Sequence, residues 1–197
     1  MSNRKMLVIA AVAAMVHTAW AQQPESHVEV MKSPGKAVIK GTTRVTATVQ
    51  DIDPATRTVV LKGANGKVVE VQVGDEARNF DQLKVGDVVK AVYKESLALS
   101  LKKNGDGMSS ASETPSMERT PPGAKPGGTV GREVKVLADV VGVNTKTKTV
   151  TLKGPKGNTV DLKVEDPAQL ANIKTGDQVE AVYTEALAIS VEPAAQK

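Results

Sequence analysis

The sequence predicts an all-β chain, with two tandem copies of a small five-stranded barrel joined by a disordered linker. Three observations carry that expectation. Aliphatic residues alternate with polar ones over short runs. The same runs recur in order along the second half of the chain. The stretch between the copies is rich in Gly, Ser, Pro and Thr and has no apolar period.

The repeat is read directly. Val59-Val60-Leu61-Lys62-Gly63 returns as Val150-Thr151-Leu152-Lys153-Gly154, and Lys84-Val85-Gly86-Asp87 as Lys174-Thr175-Gly176-Asp177. Ala91 to Ser100 returns as Ala181 to Ser190. The offset is 91 early and 90 late, so one residue is lost between Asp75 and Leu83, where a loop tolerates it. The copies span 42–103 and 132–192. The segment 104–131 reads as the linker, with a reach of about 30 Å if fully flexible. Residues 22–41 read as a mobile leader and 193–197 as a tail.

Residues 1–21 have the three parts of an export signal. Arg4 and Lys5 are followed by the apolar run Met6 to Val16 and by Ala19-Trp20-Ala21, so cleavage is expected after Ala21. The run is too short for a resident span, which needs roughly 20 apolar residues. The expected product is periplasmic or secreted, with no transmembrane segment after cleavage. Loss of Arg4 and Lys5 lowers the formal net charge from +4 to +2. Cysteine is absent, which removes disulfides, thiol chemistry and thiolate metal sites.

Within copy one, Val45, Ala47 and Val49 alternate with Thr46, Thr48 and Gln50, and Asp51 to Pro54 turns the chain. Val59 and Leu61 then point inward, and Gly63-Ala64-Asn65-Gly66 makes a hairpin turn. Val69, Val71 and Val73 form the third inward face, and a loop with Phe80 and Leu83 follows. Val89, Ala91 and Tyr93 line strand four; Leu97, Leu99 and Leu101 line strand five. The inward set of copy two runs from Val136 through Val150, Leu152, Val179 and Tyr183 to Leu187, Ile189 and Val191. Inward residues are kept while outward ones drift, as a half-buried sheet requires.

The segments Asp53 to Leu61, Val85 to Asp87 and Tyr93 to Ala98, with Asn144 to Leu152, Gly176 to Asp177 and Tyr183 to Ala188, carry a likeness to known proteins. They resemble a group of small bacterial periplasmic OB-like β-barrel domains of unknown function. A more distant resemblance is to periplasmic copper-chaperone barrels. The likeness implies OB-like barrels in the cell envelope. The copper barrels use strand-borne Met, His and Trp, and neither copy here has them.

Tyr93 and Glu95, with Tyr183 and Glu185, are the candidate ligand-binding residues. They are expected where strand four turns into strand five, at one mouth of each barrel. There a hydroxyl and a carboxylate suit a small polar ligand or a partner's backbone; the plainer alternative is a core tyrosine with its hydroxyl at the rim. Gly86-Asp87 and Gly176-Asp177 read as turn devices. His27 and Met31, four apart in the leader, are the candidate metal ligands. Asp51 and Asp53 suggest calcium weakly, since copy two has Gly142 and Asn144 there.

No catalytic residues are assigned. Neither copy contains a His for a triad, no glycine-rich phosphate loop is present, and a filled small barrel leaves little cleft for paired carboxylates. Aromatic residues make up 2% of the chain, too few for the stacking platforms of a nucleic-acid-binding barrel. The expectation is a monomeric, non-enzymatic binding module without cofactor, whose partner is an envelope protein or a small ligand. The alternative is a periplasmic small-ligand or copper-type metal carrier.

Overall fold

The computed structural model describes residues 25–194. The expected export signal and its cleavage site lie outside the described residues.

The chain is all-β apart from one short helix and one 3-10 turn. Copy one runs β1 (Glu25–Ser33), β2 (Lys36–Asp53), β3 (Thr58–Gly63), β4 (Val68–Gln72), a 3-10 turn (Phe80–Gln82) and β5 (Val88–Lys102). Copy two repeats the order with β6 (Ser110–Arg119), β7 (Gly127–Asn144), β8 (Thr149–Lys153), β9 (Thr159–Lys163), α1 (Pro167–Ala171) and β10 (Gln178–Glu192).

The ten strands form one open antiparallel sheet, in the order β4-β3-β2-β5-β10-β7-β8-β9, with β1 beside β2 and β6 beside β7. The sequence led us to expect two separate barrels, and the difference lies in β5 and β10. Strands four and five of each copy are one unbroken 15-residue strand. The residues at the expected turn, Tyr93-Lys94-Glu95-Ser96, include no Gly, Asn, Asp or Pro to reverse the chain. Each strand therefore runs on into the territory of the other copy. β5 and β10 pair along their whole length, with Glu95 opposite Glu185 at the centre.

Two cores result, one in each half of the sheet. The first gathers Ala47, Val49, Val59, Leu61 and Phe80. The second gathers Val140, Val150, Leu170 and Val179, and it takes Leu99 and Leu101 from copy one. A bulge after Val49, and another after Val140, shifts the alternation so that Ile52 and Val143 also face their cores. The inward assignment fails at the end of β10. Leu187 and Ile189 are 42% and 43% exposed, because they cross the centre and run past the first core without being covered.

The expected leader and linker also carry strands. β1 forms a hairpin with the first half of β2, and β6 forms one with the first half of β7. Both are exposed along their whole length, which is why the sequence reads them as lacking a buried face; each is held by backbone pairing to a long neighbour.

Three contacts tie these hairpins across the copies. The Gln169 side chain donates to the Ser33 carbonyl at 2.6 Å and accepts from the Gly35 amide at 2.9 Å. Asn79, at the matching position of copy one, donates to the Pro121 carbonyl at 2.7 Å and accepts from the Gly123 amide at 3.2 Å. The loops before β5 and β10 supply the third. Gly86 and Gly176 have φ of +91° and +92°, as their turns require, and Asp87 and Asp177 are 2% and 3% exposed. Asp87 accepts from the Lys84 amide and from Lys125 Nζ at 2.5 Å. Asp177 accepts from the Lys174 amide and from Lys103 Nζ at 3.0 Å. Lys125 comes from within the expected linker, and Lys103 is the last residue before it.

Candidate binding site at the strand crossing

The four residues singled out at two separate mouths meet at one place. Because β5 and β10 cross at Glu95 and Glu185, Tyr93 of copy one faces the carboxylate of copy two. The Tyr93 hydroxyl donates to Glu185 Oε2 at 3.1 Å, and the Tyr183 hydroxyl donates to the same oxygen at 2.9 Å. Arg132 Nε donates to Glu185 Oε1 at 2.5 Å. Both carboxylate oxygens of Glu185 are therefore engaged.

The environment sets the ionisation of these groups. Burial pushes the Tyr93 hydroxyl well above the ordinary tyrosine range, and the Tyr183 hydroxyl and Glu185 carboxylate add to the shift. Tyr183 is also raised, chiefly by burial, and its bond to the Glu185 carboxylate adds to the shift. Burial works against ionised Glu185. The hydrogen bonds from Tyr183, Arg132 and Tyr93 outweigh it, and the carboxyl titrates below its ordinary value.

Antiparallel pairing places cross-strand neighbours in rows on one face of the sheet. One row runs Val28, Gly41, Glu95, Glu185, Arg132 and Pro115. The next runs Val30, Ile39, Leu97, Tyr183 and Val134, and the row on the other side runs Thr43, Tyr93, Leu187, Val130 and Met117. The charged centre is thus flanked on this face by two aliphatic groups that stay exposed. Val28, Val30 and Ile39 form one, and Met117, Val130 and Leu187 the other.

The crossing also contains a cleft of about 570 Å³, lined by residues of β2, β5, β6, β7 and β10 that include Lys40, Thr42, Lys94, Ser96 and Thr184. Register places these five on the opposite face from Glu95.

His27 and Met31 do not come together. Both stand on extended β1, opposite Thr42 and Val38. Four residues of strand cover about 13 Å, and side chains perpendicular to the sheet at that spacing do not close on one ion. Among the described residues, no cluster of three His, Cys, Asp or Glu side chains is arranged for a metal. Asp53 serves the turn after β2, where it accepts from the Ala55 amide and the Thr56 hydroxyl, while Asp51 stands within β2 opposite Val60.

Sequence reasoning passed over Arg132, Asn79 and Gln169. Asn79 and Gln169 share a repeat position, and that coincidence of two amides was the available signal. Arg132 stands where copy one has Gly41, a difference visible once the earlier offset is extended towards the start of the repeat.

No protein family, characterised protein or solved structure matches this chain. None of the helices among the described residues is long and apolar enough to cross a membrane.

Proposed function

We propose that this chain is a non-catalytic binding module of the cell envelope, which docks a partner polypeptide on the face of the sheet that carries Glu95 and Glu185. The observation that supports this most is the exposure of the aliphatic side chains beside the crossing. Val28 is 66% exposed and Val30 54%, on a strand paired along one edge only. Contiguous apolar groups rimmed by polar ones are characteristic of protein-interaction surfaces. The free edge of β1 adds a row of backbone donors and acceptors that suits an extended segment. The edge of β6 is interrupted by Pro115, which has no N–H to offer. The β1 side is therefore the better docking edge.

The test is site-specific photo-cross-linking in envelope extract, with the reactive group at position 28, at position 130 or, as control, at Lys146 in an exposed turn. Adducts are expected from the first two positions and not from the control. If neither position gives an adduct above the control, the proposal fails.

A small-ligand carrier is the second reading, and the cleft favours it. Lys40 and Lys94, with Glu133 and the hydroxyls of Thr42, Ser96 and Thr184, line it with groups of both charges that suit a small hydroxylated molecule. Chemical-shift changes confined to Lys94 and Ser96 on adding such a molecule would support the carrier over the docking module.

A further inference from the structure

We infer that Glu95 receives a guanidinium or ammonium side chain from the docked partner. This inference rests on the docking reading above and specifies the chemistry of the partner segment. The argument comes from comparing the two copies. Glu95 and Glu185 are equivalent by repeat and lie opposite each other in the register. Glu185 has a cation opposite it in the neighbouring strand, Arg132, which binds it through Nε. Glu95 has Gly41 opposite it. Among the described residues, no cationic side chain lies within ion-pair distance of Glu95.

The surroundings of Glu95 are those of a half-built ion pair. Its side chain lies over the bare backbone of Gly41, where an added Cβ would come within 2.9 Å of Glu95 Cγ and Oε1. This leaves the carboxylate at the surface of the sheet, exposed to solvent. Glu185 stands beside it, and Arg132 neutralises Glu185, so the unpaired charge of the pair is that of Glu95. Val28 borders Gly41 in the same row, and Val30 and Ile39 border it in the next. A partner segment with one Arg or Lys among aliphatic residues matches this pattern of one acid beside three apolar side chains. The equivalent place in copy two is already neutralised, so the preference for a cation belongs to the copy-one side of the crossing.

The experiment measures binding of two probes to the full chain, one the blocked peptide Val-Thr-Arg-Thr-Val, whose alternation puts Arg and both Val on one face, and the other the same peptide with Gln in place of Arg. The wild-type protein is expected to bind the Arg peptide at least tenfold more tightly. Glu95→Gln should abolish that difference while leaving the Gln peptide unaffected. Gly41→Arg rebuilds the copy-two arrangement and should also abolish it; circular dichroism and thermal melting check that both variants are folded. Equal affinity of the two peptides for wild type, or a preference that persists in Glu95→Gln, overturns the inference while the docking face stands. Failure of both peptides to bind at millimolar concentration overturns the inference and counts against the docking face as well.

Discussion

Asn79 and Gln169 occupy the same position in the two repeats, and each side-chain amide holds the hairpin turn of the other repeat. Gln169 grips Ser33 and Gly35 of the β1–β2 hairpin; Asn79 grips Pro121 and Gly123 of the β6–β7 hairpin. The reciprocity shows how the chain is built. The two halves lie side by side in one sheet, joined where β5 pairs with β10, and each half's long strands run on so that its hairpin ends against the loop of the other.

Truncating either clamp removes two hydrogen bonds at a partly exposed site. Gln169→Ala and Asn79→Ala should each destabilise the protein by about 1–2 kcal/mol, on the usual scale of about 1 kcal/mol per bond. Hydrogen exchange gives the more specific readout. Gln169→Ala should speed exchange at Gly35, in the other repeat, and Asn79→Ala should speed it at Gly123. Acceleration confined to the mutated residue's own repeat would contradict the reciprocal arrangement.

Leu99 and Leu101 belong to copy one and pack on the core of copy two. Replacing either with Ala should cost about 1–3 kcal/mol, below the full range for a completely buried leucine because both are partly exposed. The loss of protection should centre on Val140 and Val150. Leu187→Ala, at a position 42% exposed, should cost less than about 1 kcal/mol. Equal costs at Leu99 and Leu187 would show that the halves are not arranged as described.

Lys125 holds Asp87 from the segment between the repeats, and Lys103 holds Asp177. Lys125→Met leaves a carboxylate that is 2% exposed with fewer partners, and should destabilise by about 1–3 kcal/mol in urea unfolding. The same substitution should increase tryptic cleavage at Arg119. Unchanged stability and cleavage would mean that the contact does not anchor the segment.

The ionisable centre gives pH dependence at both ends of the scale. Tyr93 and Tyr183 are raised in the folded state, so their contribution is fully present below the ordinary tyrosine pKa of about 10 and is lost as pH rises towards the folded values. Tyrosinate absorbance should therefore develop late, together with unfolding. Glu185 is lowered, and so is Asp177: burial disfavours its charge, but the Lys174 amide, Lys103 and the Asn104 amide outweigh that. Their contribution is present above the ordinary carboxylate range, at about pH 4, and is lost as pH falls through the folded values. Glu185→Gln should flatten the acid limb of the stability curve. Free titration of both tyrosines near pH 10 in the folded protein would contradict the hydrogen-bonded centre.

The sequence makes the β class, the repeat, the two cores and the hairpin turns legible, because period-two alternation and Gly or Asn at turns are local signals. Val49, Val59, Val140 and Val150 are buried as their alternation requires. The continuation of β5 and β10 is not a local property. The alternation through Tyr93, Glu95 and Leu97 is the same whether the chain folds back or continues, and only the lack of a turn former favours continuation. β1 and β6 were hidden for a different reason. Their stability comes from a paired neighbour, and their exposed residues leave no trace of burial. Tyr93, Glu95, Tyr183 and Glu185 are legible from the repeat, but the convergence of both tyrosines on Glu185 follows from the pairing of β5 with β10, which no local signal carries.

The central claim is that β5 runs unbroken from one half of the sheet to the other, beside β10. The absence of cysteine allows a direct test by paired substitution and oxidation at low protein concentration. Val92 lies opposite Ala188, so Val92→Cys with Ala188→Cys should form an intramolecular disulfide. Val92 and Ala98 are about 20 Å apart along one extended strand, so Val92→Cys with Ala98→Cys should stay reduced. A disulfide in the second pair and none in the first would show that the chain turns back at Glu95, and would contradict the continuous sheet.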